Sequence, residues 1–226
     1  MLQDFKRSLG EGFSWIGTVL PIGRKTAVKI FLLAVLLLGF YFYQGFFIEV
    51  FLAAVYFLLA FFILFFFRDP LRKAEFAQDE IACPADGKIL SIKTEDNPDI
   101  IVIRIFLTVF NVHVQRAPIS GFVEEVKYTK GHFFFANNPQ ADKNERNLIT
   151  IKDGDKTVAF EQITGAIARR IECWVTKDDP LKAGQKAGLI YFGSQVALYL
   201  PKDRVRITVK EGQSVQGALT VIGLWK

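Results

Sequence analysis

The chain has 226 residues, of which 51% are hydrophobic and 23% charged, with 23 phenylalanines and a net charge of +5. That length allows one soluble domain with an accessory segment, or two small domains. The basic excess comes without a stripe of cations interleaved with aromatics or any nucleic-acid motif, which excludes a nucleic-acid partner and fits an anionic lipid surface.

Residues 1–26 carry Phe5, Leu9, Phe13, Trp15 and Ile16 among charges, the composition of an interfacial segment lying on lipid headgroups. Residues 30–48 carry no charge, nor do residues 50–67, and Glu49 alone separates the two runs. Each approaches the roughly 20 residues that a helix needs to cross a bilayer core. A soluble domain of this size has no use for so long an apolar block, and the small-residue cleavage site of a signal peptide is missing after it. The expectation is a membrane-embedded helical hairpin over 27–68, with helices at about 27–43 and 46–67 and a turn near Gln44-Gly45. Arg24, Lys25 and Lys29 precede it; Arg68, Arg72 and Lys73 follow it and read as headgroup anchors. With both ends basic, the positive-inside rule puts both in the cytoplasm, so the remainder belongs on the cytoplasmic face of the cell (inner) membrane. Pro70 closes the second helix.

From residue 80 the pattern turns short and β-like. Strands are expected at 88–92, 100–107, 121–128, 148–152, 157–163, 167–175, 188–191, 195–200 and 204–209, rich in Val, Ile and aromatics and bounded by Gly, Pro, Asp and Asn. The fold class is therefore mostly β: a barrel-like or sandwich-hybrid catalytic domain over 69–226, behind an N-terminal membrane-embedded helical hairpin. One long polar stretch, 129–147, interrupts it and contains Phe133, Phe134 and Phe135, which either dip into lipid or fill the interior. Cys83 and Cys173 have no Cys or His neighbours at metal-ligand spacing, so no metal site is expected and both read as reduced, small hydrophobes.

The candidate chemistry lies in dispersed turns. Asp86 sits in Pro84-Ala85-Asp86-Gly87, His113 follows a strand in Val112-His113-Val114-Gln115-Arg116-Ala117-Pro118, and Ser194 follows Gly193 in Phe192-Gly193-Ser194. An Asp/His/Ser set is the composition that activates a hydroxyl: the carboxylate orients the imidazole and the imidazole takes the proton. The other histidine, His132, reads as a loop residue. Arg169-Arg170 reads as a strand pair or a phosphate contact.

Taken in order with Phe67-Arg68-Asp69-Pro70, Asn144-Glu145-Arg146-Asn147 and Ala168-Arg169-Arg170-Ile171, these phrases resemble the short membrane-bound phosphatidylserine decarboxylase proenzymes over roughly residues 65–222. The resemblance implies a self-made, pyruvoyl-dependent enzyme. Ser194 would attack the Gly193 carbonyl, and elimination and hydrolysis would leave a β chain of 1–193 and an α chain from 194 that begins with a covalent pyruvoyl group. That cofactor's carbonyl would condense with the amine of a serine phospholipid and accept the electrons released with CO2, giving phosphatidylethanolamine. His113 would serve as proton carrier beside catalytic Ser194 and Asp86, and Arg116 and Arg169 are candidates for binding the substrate's phosphate or carboxylate.

Many larger members of that family carry a second histidine three residues after the first; here Arg116 stands in that place, so either His113 serves both self-cleavage and decarboxylation or Asp86 and water take a larger share of one step. Two alternatives accompany this expectation. The same chemistry could act on an archaeal-type ether serine lipid. A non-catalytic adaptor could be built from biotinyl- or lipoyl-like halves, since 84–89 and 211–217 both resemble turns of such modules. A homo-oligomer is compatible with either.

Overall fold

The computed structural model describes residues 19–44, 47–72, 75–134, 143–165, 170–191 and 194–226. It divides into two compact units, one ending at Leu71 and the other running from Arg72 to Lys226.

The first unit is a hairpin of two helices, α1 (Pro21–Gln44) and α2 (Phe47–Phe66). α1 starts before the expected residue 27, at a proline: in the first helical position the ring costs no hydrogen bond and its φ is already helical. Residues 21–26, expected to lie at the interface, are thus helical, and the rest of that segment up to 18 lies outside the described residues. Small residues line the seam. Ala27 and Ala34 on α1, and Ala53 and Ala60 on α2, are buried with a seven-residue spacing on each helix, which lets the two backbones approach closely. Phe31 and Phe57 meet edge to face at 5.3 Å. The ends are clasped where the Leu20 amide donates to the Phe67 carbonyl at 2.9 Å. Most of the large side chains point outward, Phe42 being 84% exposed, while Ile63 and Phe66 near the end of α2 are buried. Both helices are long and apolar enough to cross a membrane.

The second unit is mostly β. Its largest sheet has the strand order β13 (Ser214–Val215), β2 (Gly87–Thr94), β3 (Ile100–Leu107), β11 (Ser194–Pro201), β7 (Lys156–Ile163), β6 (Arg146–Asp153), β5 (Gly121–Thr129) and β9 (Pro180–Leu181), all neighbours antiparallel. Two three-stranded sheets complete it: β1 (Glu80–Ala82) with β14 (Val221–Trp225) and β12 (Val205–Ile207), and β4 (Val114–Arg116) with β10 (Lys186–Ile190) and β8 (Ile171–Cys173). One apolar core is shared by all three. Alternation turns Ile103, Ile105 and Leu107 of β3, Val196, Leu198 and Leu200 of β11, and Val158 and Phe160 of β7 to the same side, where they pack with Ile81, Ile222 and Ile190 of the small sheets. The strands at 100–107 and 195–200 lie where expected. β1, β4, β9, β13 and β14 were missed because they are too short to show a period, apart from β14, whose Gly223 interrupts one.

Candidate active site

β11 runs through the middle of the large sheet, between β3 and β7, and Ser194 is its first residue. Its register partner is Leu107, the last residue of β3. The chain leaves β3 there, turns, and reaches His113. Asn111 builds the turn: its Oδ1 accepts from the Thr108 amide and the Thr108 hydroxyl, both at 2.9 Å, while its own N–H donates to the Thr108 carbonyl. β4 then pairs with β10 through Val114 and Leu189, and the Ile190 amide donates to the His113 carbonyl at 3.2 Å. The backbone at His113 is therefore tied to the strand that ends four positions before Ser194. Phe192, Gly193 and Arg169 lie outside the described residues.

His113 is fully buried. Its Nδ1 stands 2.9 Å from the Asn111 carbonyl oxygen. A carbonyl can only accept, so Nδ1 carries the proton and a neutral imidazole keeps its lone pair on Nε2. That is the tautomer a general base requires, and a backbone carbonyl selects it.

Asp86 is placed otherwise than expected. Its carboxylate makes no bond to His113; it is gripped by Arg72, whose two terminal nitrogens meet its two oxygens at 2.5 and 2.7 Å, and by the Gly217 amide at 2.8 Å. Arg72 also donates to the Gly217 carbonyl. Both charged side chains are buried, with 5% and 9% of their surfaces exposed. This corrects the assignment of Arg72 as a headgroup anchor: the cation is spent on a bidentate pair inside the β unit, a geometry that only a guanidinium can make. Nothing in its sequence neighbourhood, Pro70-Leu71-Arg72-Lys73, separates the two roles. The adjoining backbone is zipped as well. The Cys83 amide donates to the Thr220 carbonyl and the Ala218 amide to the Cys83 carbonyl, each at 2.9 Å. Burial pushes the Cys83 thiol up to about 12, so it stays protonated and inert.

Arg116 is buried on β4, and its guanidinium donates to the Gly184 carbonyl at 3.1 Å. Arg170 faces the segment before Ser194: it lies 5.4 Å above the Tyr191 ring and pairs with Glu172 at 3.1 Å. Tyr191 donates its hydroxyl to Glu172 at 2.7 Å, and burial together with that bond pushes the phenol up to about 12. His132 is exposed in its loop, where its amide bonds to the Lys143 carbonyl. Phe133 and Phe134 are half-buried, and Phe135 lies outside the described residues. A cavity of about 500 Å3 on the far side of the large sheet, under Tyr199, Glu161 and Ala159, faces away from His113.

The phosphatidylserine decarboxylase family model matches residues 58–223. The chain belongs to the phosphatidylserine decarboxylase family. Relatives agree with the family match. A phosphatidylserine decarboxylase proenzyme of Desulfotalea psychrophila is 43% identical over 164 residues, covering 70% of this chain and 76% of that protein. Proteins of the same name from Carboxydothermus hydrogenoformans (44%, covering 70% and 76%) and Burkholderia mallei (41%, covering 69% and 74%) are each similar over 163 residues. These matches lend nothing to the adaptor alternative. Membership in this decarboxylase family makes the chain an enzyme, and the matched region takes in most of the β unit and the end of α2.

Proposed function

We propose that this family member decarboxylates phosphatidylserine to phosphatidylethanolamine, after cutting its own chain between Gly193 and Ser194. The observation that carries the proposal is the placement of Ser194 at the head of the central strand, with the His113 backbone bound to Ile190 just upstream. In the cut, His113 Nε2 takes the Ser194 hydroxyl proton as the oxygen attacks the Gly193 carbonyl carbon, and the peptide C–N bond gives way to an ester. Loss of the Ser194 α-proton then eliminates the upstream chain as a carboxylate at Gly193. Water replaces the nitrogen left at residue 194, and ammonia departs. The two products are a β chain of 1–193 and an α chain of 194–226.

Several features support survival of the fold through that cut. The α chain would keep β11 between β3 and β7, β13 against β2, and β14 against β1. The Asp86–Arg72–Gly217 clasp would also join the two products. We assign Asp86 this tethering part, with the Asn111 carbonyl as the group that orients His113. A pyruvoyl group at position 194 would supply a carbonyl that accepts the electron pair released as CO2 leaves the substrate. His113 Nε2 would hold and return a proton in that step, and Tyr191 keeps its hydroxyl proton at neutral pH. Arg116 and Arg169 are the cations assigned to the substrate's phosphate or carboxylate.

The hairpin is the membrane anchor of the same proposal. Two spans would return the chain to its starting side, and the basic Arg24, Lys25, Lys29 and Arg68 favour the cytoplasmic face of the inner membrane for that side by the positive-inside rule.

Intact-mass measurement of the purified protein tests the cut. A fragment of 194–226 with a blocked, pyruvoyl-bearing N-terminus is expected, and Ser194→Ala should stay full length. Active, folded protein with an intact chain would sink the proposal.

A further inference from the structure

The core of the β unit contains a line of amides that neither the family match nor the proposed chemistry uses. Gln115, Asn147 and Gln162 are buried to 2% exposure or less, on three different strands. The Asn147 amide nitrogen donates to Gln162 Oε1 at 2.9 Å, Gln162 Nε2 donates to Gln115 Oε1 at 2.9 Å, and Gln115 Nε2 donates to the His113 carbonyl at 2.7 Å. The final acceptor sets the direction of the whole line. A backbone carbonyl cannot donate, so the Gln115 nitrogen must face it, and each side chain upstream is then locked with its oxygen turned back toward the next donor. The second proton on Gln162 Nε2 points at the Glu172 carbonyl, 3.4 Å away, and Glu172 in turn holds Tyr191.

The site is built to admit this line. Val158 and Phe160 precede Gln162 on the core-facing row of β7, and Asn147 precedes Ile149 and Ile151 on the matching row of β6, with Asn147 and Gln162 in register. Three polar side chains therefore hold positions where an aliphatic residue would bury more apolar surface. Gly188 in β10 clears the passage: a Cβ there would come within 2.4 Å of the Glu172 carbonyl and 2.6 Å of Gln162 Nε2. The His113 carbonyl accepts from Gln115 on one side and from the Ile190 amide on the other.

We propose that Gln115, Gln162 and Asn147 are positioning residues, an oriented amide relay that fixes the His113 backbone relative to Ile190 at the end of β10. This rests on the reading of His113 as the proton carrier in self-cleavage. The relay acts through main chain; the imidazole itself is oriented by Asn111. The effect of breaking it should fade with distance from His113.

The test is the time course of self-cleavage in the full chain, followed by intact mass, with thermal unfolding measured on the same samples. Methionine replaces glutamine at similar length without its hydrogen bonds. Cleavage should slow on the order of 100-fold in Gln115→Met and on the order of tenfold in Gln162→Met, with Asn147→Ala slowed least. Gln162→Glu supplies the second readout. A carboxylate at this position cannot donate to Gln115, whereas a protonated carboxyl can, so its cleavage rate relative to the parent should recover as pH is lowered. Gln115→Met and Gln162→Met proteins that cleave at the parent rate while melting lower would overturn the relay, as would a Gln162→Glu ratio that is flat with pH. His113→Ala separates the two levels. If that variant cleaves normally, the proton-carrier reading fails; if it is inert while the amide variants cleave normally, only the relay fails.

Discussion

The hairpin and the β unit use the same apolar side chains in opposite ways. In the hairpin, alanines fill the seam and most phenylalanines face outward; in the β unit, Phe160 and a set of isoleucines fill the interior and most charges face outward. The inversion is that of the solvent. Between helices in lipid there is no hydrophobic gain to be had from hiding a large side chain, so close backbone approach and van der Waals contact decide the seam. In water, removing apolar area from solvent dominates, at roughly 25 cal/mol per Å2. The β unit also buries polar groups, among them Asp86, which has Arg72, and the amides of Asn147, Gln162 and Gln115, which are hydrogen-bonded in a line.

The largest break in that comparison should come from Arg72→Leu. It strands the buried Asp86 carboxylate without its cation, and a loss of about 3–5 kcal/mol in denaturant unfolding is expected, most of it recovered when Asp86→Leu is added. Equal stability of the single and double variants would show that the pair is not the cause. In the hairpin the sensitive position is a small one. Ala34→Leu should overpack the seam at a cost of about 1–3 kcal/mol, read as lower resistance of the hairpin to detergent unfolding, whereas Phe42→Ala, on the outward face, should change little. The reverse order would mean that the seam lies elsewhere.

The smallest effect concerns the outer face of the large sheet. Burial raises the Glu161 carboxyl above its ordinary 4.5, against the pull of Arg146 and Tyr199. A raised acid binds its proton more tightly in the folded state, so its stabilisation is full below 4.5 and drains away as pH rises through the folded value. Glu161→Gln should therefore lose less stability than the parent as pH is raised from 4.5 through the raised value of the folded carboxyl, read in thermal melts. Glu95, held low first by its bond to Arg104, has the opposite sign and costs stability only as pH falls below 4.5. The parent and Glu161→Gln curves running parallel would remove Glu161 from the account.

Long, uniform stretches were legible, and isolated side chains were not. The charge-free runs announce the helices because nothing else in a chain of this size tolerates them; β3 announces itself by its Val and Ile content and β11 by the short apolar run Val196-Ala197-Leu198-Tyr199-Leu200. The pairing of Arg72 with Asp86 was illegible: an arginine just after a membrane span reads as an anchor until the fold brings Gly217 and Asp86 to it. The amide line left a faint trace, polar residues at the core parity of β6 and β7, which becomes a signal only once the inward face is known. His113 was picked out by type and motif; that Asn111 rather than Asp86 holds its ring follows from the turn at 108–111.

By itself, then, the sequence determined the class of each segment and the family, because hydropathy, β-propensity and ordered motifs are properties of the chain read locally. Which groups meet belonged to the tertiary structure. A hydrogen bond or an ion pair needs atoms within about 3 Å; the pairing of β13 with β2 brings Gly217 beside Asp86, that of β6 with β7 brings Asn147 to Gln162, and that of β4 with β10 ties the stretch carrying His113 and Gln115 to Ile190.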